Sequence, residues 1–102
     1  MWLNSWPNWI RDVRDIFSNQ FKRSYKKCLK RGRDKALLEE VVTLLAETGS
    51  LPQRYKAHKL VGQWQGLWEC HIQPDWLLIW EQRDTELILI LTDTGTHSDL
   101  FG

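Results

Sequence analysis

A chain of 102 residues, 42% of them hydrophobic, is expected to form one domain with a modest core and no need of a disulfide or metal staple. No apolar run reaches the ~18 residues of a membrane-spanning helix, and Met1–Trp9 lacks the basic and long apolar segments of a secretory leader, so a cytoplasmic protein is expected. The net charge of +1 divides into +4 over residues 1–50 and −3 over residues 51–102, with the positive charge concentrated between Lys22 and Lys35.

Residues 1–11 hold three tryptophans, Trp2, Trp6 and Trp9, and read as an N-terminal extension ahead of the domain proper, residues 12–102. Arg11–Phe17 alternates imperfectly, a weak strand signal. Ser18 or Asn19 then caps a helix in which Phe21, Tyr25, Cys28 and Leu29 recur at helical spacing. The opposite face carries Lys22, Arg23, Lys26, Lys27, Lys30 and Arg31, a stripe able to attract phosphates, or equally an ordinary solvated face. Gly32 ends this helix. A second runs from Lys35 to Glu47, with Leu37, Leu38, Val41, Leu44 and Leu45 as its apolar stripe, and Gly49 stops it.

Leu51-Pro52 opens a loop through His58 to Gly66, after which the period changes to two. Trp68, Cys70 and Ile72 alternate with Leu67, Glu69 and His71, then Gln73-Pro74-Asp75 turns. Trp76–Glu81 is a strand, Arg83-Asp84-Thr85 a second turn, and Leu87–Leu91 an apolar run that fits a central strand covered on both faces. The order predicts a small α+β domain, a helical hairpin packed on an antiparallel sheet of about four strands.

His58, His71 and His97 are the only histidines, and each lies beside a turn signal instead of inside an apolar run. Strand alternation puts His71 on the face of Leu67 and Glu69, with Asp75 just past the turn and His97 just past the last strand, so these groups are able to converge. Histidine suits proton transfer because it titrates near neutral pH. Cys28 and Cys70 have no paired spacing and no accompanying ligand set, so neither a zinc site nor any cofactor is expected, and both are read as reduced thiols. The plainer alternatives are core packing for Trp76, Trp80 and Phe101, loop packing for Trp64, and for Glu69 either a pair with Lys56 or a place in solvent.

Three stretches together carry a resemblance: Tyr55–Gly66 with His58-Lys59-Leu60-Val61-Gly62, Glu69–Trp80 with His71-Ile72-Gln73-Pro74-Asp75-Trp76, and the terminal Gly95-Thr96-His97-Ser98-Asp99-Leu100-Phe101. Over about residues 12–102 the chain resembles the YafQ branch of the RelE/ParE toxin superfamily. The resemblance implies a type II toxin, an endoribonuclease that cuts messenger RNA in the ribosomal A site and is neutralised by a RelB/DinJ-type antitoxin. Carried onto matching positions, it implies a catalytic group of His58, His71, Asp75 and His97, with Trp76, Phe101 and Lys56 holding substrate and the basic stripe meeting ribosomal RNA. The residue types fit metal-free cleavage, which needs a base for the 2′-OH, an acid for the leaving 5′-oxygen and donors for the charged transition state.

Two positions depart from the pattern. Trp68 and Asp93 stand where members often carry arginines, and Lys56, Lys59 or Arg54 are the candidates to compensate. An impaired member that serves mainly to bind antitoxin and autorepress is therefore an alternative, as is a gyrase inhibitor of the ParE type.

Overall fold

The structure, a computed structural model, describes residues 17–83 and 88–102. Helix α1 spans Asn19–Lys30 and α2 Lys35–Thr48, and the strands are β1 (His58–Lys59), β2 (Leu67–Gln73), β3 (Trp76–Arg83) and β4 (Ile88–Gly95). A short helix, α3 (His97–Phe101), ends the fold. All four strands are antiparallel neighbours in the order β1-β2-β3-β4, so the expected α+β class is observed. Of the expected first strand only Phe17 is described, and it makes a parallel bridge to Leu91. The tryptophan-rich extension and the turn over residues 84–87 lie outside the described residues.

Local chemistry sets the helix ends. Ser18 caps α1: its Oγ accepts from Phe21 N at 2.9 Å and donates to the Thr92 carbonyl at 2.7 Å, while its N–H reaches the Leu91 carbonyl at 3.0 Å. One residue thus satisfies an orphan helix donor and ties α1 to β4. Asp34 caps α2 through Ala36 N, and Gly49 closes it in the left-handed conformation (φ 73°) that glycine tolerates.

The helices cover one face of the sheet. Phe21, Tyr25 and Cys28 of α1 and Leu38, Val41, Val42 and Leu45 of α2 bury against Cys70, Ile72, Trp76, Leu78, Trp80 and Leu91. Phe17, Phe21 and Tyr25 stack in a ladder with successive centroids 5.6 Å apart. Burial pushes the Cys70 thiol up to about 12 and raises the Cys28 thiol as well, so both are inert core groups.

β3 is buried on both faces, with Trp76, Leu77, Leu78, Ile79 and Trp80 all buried, and β4, the expected central strand, pairs with β3 on one side and meets Phe17 in a parallel bridge on the other. The loop before β2 also holds more order than expected: two 3₁₀ turns, Gln53–Tyr55 and Gly62–Trp64, flank β1.

Candidate active site

The face away from the helices carries two rows of paired residues. The first crosses all four strands: His58 pairs with Glu69, Glu69 with Ile79, and Ile79 with Asp93. The second is His71, Leu77 and Gly95. Residues directly opposite in an antiparallel sheet share a face, so Leu77 and Ile79 form an apolar floor; they are 0% and 1% exposed although neither touches the helical core cluster. His58 and His71 are diagonal neighbours over this floor, a spacing of about 7–8 Å between backbones.

His58 is held at both ring nitrogens. The 3₁₀ turn Gln53–Tyr55 ends in Lys56, whose left-handed backbone (φ 53°) leaves its carbonyl 2.9 Å from His58 Nδ1. A carbonyl only accepts, so Nδ1 donates, and Nε2 becomes the basic nitrogen of the neutral ring. Nε2 lies 3.3 Å from Glu69 Oε1. Glu69 is only 4% exposed, and His58 is its ion-pair partner, so a proton arriving on Nε2 is met by a buried carboxylate.

The other end of the site is built from the β2–β3 turn and α3. Asp75 Oδ1 accepts from His97 N at 3.4 Å. Thr96 and Asp99 form a reciprocal capping box around His97, with Asp99 N donating to Thr96 Oγ1 at 3.1 Å and Thr96 N to Asp99 Oδ2 at 2.9 Å. The His97 ring lies 5.3 Å from that of Phe101, which meets Trp64 edge to face at 5.4 Å. Arg31 grips Asp99 through Nη1 to Oδ2 at 2.6 Å and Nη2 to Oδ1 at 3.4 Å. The guanidinium and the Thr96 N–H hold the Asp99 carboxyl down at about 2.

The structure thus places His58 and His71 on the β1–β2 side of the face away from the helices and Asp75 and His97 where the β2–β3 turn meets α3, with Phe101 beside His97. Trp76 is corrected as a substrate-stacking residue. It is 1% exposed on the helical face, and its Nε1 donates to Thr94 Oγ1 at 2.9 Å, so its ring has no free side. Lys56 is exposed and, among the described residues, has no ion-pair partner. Lys22 is half-buried and Arg23, Lys26, Lys27 and Lys30 are exposed on α1, whereas Arg31 is already engaged.

Two site residues are not evident from sequence. The pattern leaves Glu69 to Lys56 or to solvent, and recognising its role requires knowing that His58 lies in a strand paired with β2. Trp64 reaches Phe101 through a 3₁₀ turn that has no periodic signal. Of the two departures, Trp68 lies on the helical face, stacked on Trp80 at 6.1 Å with Lys59 Nζ 5.5 Å from its ring, and only Asp93 shares the face of the histidines. Arg54 leans on the Tyr55 ring and pairs with Glu40 at 3.5 Å. Among the described residues, no group of three or more His, Cys, Asp or Glu is placed to hold a metal ion.

A helix-backed antiparallel sheet of four strands, with histidines and carboxylates on the face away from the helices, is the architecture of a small RelE-like toxin. The chain belongs to the YafQ family, described as a bacterial toxin of type II toxin–antitoxin systems, whose model matches residues 14–102. It is 42% identical over 91 residues to the mRNA interferase toxin YafQ of Escherichia coli K12, covering 87% of this chain and 97% of that protein. The crystal structure of YafQ from E. coli BL21(DE3) superposes with a TM-score of 0.79 at 39% identity, over 84% of this chain and 94% of that one. The toxin in the crystal structure of the E. coli DinJ–YafQ complex gives 0.77 at 39% identity, with the same coverage.

Proposed function

We propose that this chain is an mRNA interferase, a metal-independent endoribonuclease that cuts messenger RNA on the ribosome and is silenced by a DinJ-type antitoxin. The observation that carries the reading is the pair His58–Glu69, with His71 as a neighbour on the same sheet face, and His97 held against Asp75 at the end of β4. Similarity to a named mRNA interferase and to the toxin of a DinJ–YafQ complex supports the same conclusion.

In this reading the His58–Glu69 pair, joined at 3.3 Å through His58 Nε2, takes the proton of the 2′-OH, and the Glu69 carboxylate stabilises His58 in its charged form. The 2′-oxygen attacks phosphorus and the bond to the 5′-oxygen breaks, leaving a 2′,3′-cyclic phosphate. His97 protonates the departing 5′-oxygen. His71, with Lys56 nearby in the loop, meets the charge on the phosphoryl oxygens. Asp75 orients the backbone at His97. Phe101, backed by Trp64, offers an aromatic edge to a splayed base, the usual grip on single-stranded RNA. The exposed cations of α1 attract ribosomal RNA.

The test is induction of the chain alone in cells, with primer extension on a reporter mRNA, beside His97→Ala. Growth arrest with in-frame cuts that vanish in the variant is the expected result. A stably folded chain with neither cuts nor arrest overturns the proposal and leaves antitoxin binding as its function.

A further inference from the structure

The connection between α1 and α2 carries two arginines, the α1 C-cap Arg31 and Arg33, that reach the two elements forming the His97 end of the site. Arg31 holds Asp99, the residue that also closes the capping box of α3. Arg33 donates from Nη1 to Gln73 Oε1 at 2.8 Å and from Nη2 to the Asp75 carbonyl at 3.0 Å, and so fastens the β2–β3 turn. The two held elements meet where His97 N approaches Asp75 Oδ1. A five-residue helix has too few internal hydrogen bonds to persist on propensity alone, so its orientation depends on such ties.

We propose that Arg31 and Arg33 form a clamp that positions His97 and Asp75, and that Arg31 is a positioning residue and not an RNA contact. This rests on the proposed nuclease function for its kinetic arm only. Both Arg31 nitrogens that face Asp99 are used by that carboxylate, and the pair bridges segments 68 residues apart. In contrast, Lys26 and Lys30 on the same helix are exposed, with no ion pair among the described residues. Gly95 fits the same design: a Cβ there would sit 2.9 Å from the Asp99 Cβ and Oδ2, so the chain leaves room for the carboxylate that Arg31 grips.

Asp99→Asn spares the cap but weakens the Arg31 tie: the amide oxygen at the Oδ2 position still accepts from Thr96 N and Arg31 Nη1, while the charge is lost and the amide nitrogen at the Oδ1 position meets Arg31 Nη2 donor to donor. The experiment compares wild type, Arg31→Ala, Asp99→Asn and the double variant, all as full chains. Single-turnover cleavage on programmed ribosomes and ribosome affinity are measured for each. Amide exchange is followed at Leu100 and Gly102, whose N–H groups bond to Thr96 and Ser98 within α3. A clamp gives equal losses in rate at saturation for the two single variants, about 10- to 100-fold as for small misplacements of a reacting group. The double variant is then no worse, affinity is unchanged, and exchange at Leu100 and Gly102 is faster in all three.

Weakened ribosome affinity in Arg31→Ala, with Asp99→Asn indistinguishable from wild type, overturns the proposal and makes Arg31 an RNA contact. Unchanged exchange in both single variants overturns it too. Exchange is read without substrate, so a wild type that cuts no RNA would refute the nuclease reading while the clamp is still decided. Arg33→Ala is the companion variant, expected to lower the rate with affinity intact; a wild-type rate there would remove Arg33 from the clamp.

Discussion

The replacement of Glu69 by Gln separates the chemistry of the His58–Glu69 pair from its packing. Glutamine keeps the volume and an oxygen facing His58 Nε2, now 3.3 Å from Oε1, but removes the charge that stabilises a protonated ring. A hydrogen bond to a charged group is worth about 1.5–3 kcal/mol. At tenfold per 1.36 kcal/mol, the expected fall in kcat/KM is about 10- to 150-fold. Stability should not fall with it. Glu69 is buried, and a buried charge is held against its desolvation, so a neutral isostere is about neutral or stabilising. The assay is single-turnover cleavage on programmed ribosomes together with a denaturant melt of the same preparation. A Glu69→Gln chain that cuts within twofold of wild type refutes a catalytic partnership. Lower stability with unchanged rate would make Glu69 a structural residue.

Gly95→Ala would press a methyl group 2.9 Å from Asp99 and is expected to cost about 1–3 kcal/mol in a denaturant melt, with activity reduced as α3 shifts. The Asp99 carboxyl lies at about 2 against an ordinary 3.8, so its stabilising contribution is complete above about 4 and is lost as pH falls from there toward 2. Both side chains are substantially exposed, so the loss is small, and comparing acid melts of wild type and Asp99→Asn isolates it. Neutralising Lys22, Lys26 and Lys30 together should weaken ribosome binding and lower the slope of log affinity against log salt by about one for each phosphate no longer neutralised, with single-turnover rate at saturation unchanged. An unchanged slope would return this stripe to a solvated face.

Much of the fold is legible in the sequence because periodicity reports burial on one face. The stripes through Phe21–Cys28 and Leu38–Leu45, and the alternation of Trp68, Cys70 and Ile72, each name the helical face of the sheet correctly. Periodicity does not report order within a sheet. Leu87–Leu91 and Trp76–Trp80 are equally apolar, and only the hydrogen-bond topology shows that β3 runs between β2 and β4 while β4 meets Phe17 on its far side. The same limit hides half of the site. His58 and Glu69 are 11 residues apart, and their pairing depends on a strand of two residues, too short for any pattern. Trp76 misleads for the complementary reason. It follows Asp75 directly, yet one step along a strand turns a side chain to the other face, from the site into the core.

That alternation also divides Trp68 and Asp93, the two positions read from sequence as departures from the superfamily pattern. Trp68 stands on the helical face against Trp80, so its identity takes no cation from the floor of the site. Asp93 is different: it closes the row His58–Glu69–Ile79–Asp93 and adds a carboxylate to the face that would receive a phosphodiester. Its Oδ1 accepts from Thr94 N at 2.8 Å, a local bond that leaves the charge in place. Two strand spacings separate it from Glu69, about 10 Å, and at an effective dielectric of about 20 a unit charge acting over that distance contributes about 1.7 kcal/mol before salt screening. Asp93→Asn should therefore raise the single-turnover cleavage rate, from a few-fold at physiological salt to about tenfold at low salt. A salt-dependent gain means that the wild-type chain runs below the capacity of its own histidines. A variant no faster than wild type at any ionic strength would refute the electrostatic argument and show that the bond from Thr94 already turns the Asp93 carboxylate away from the reacting phosphate.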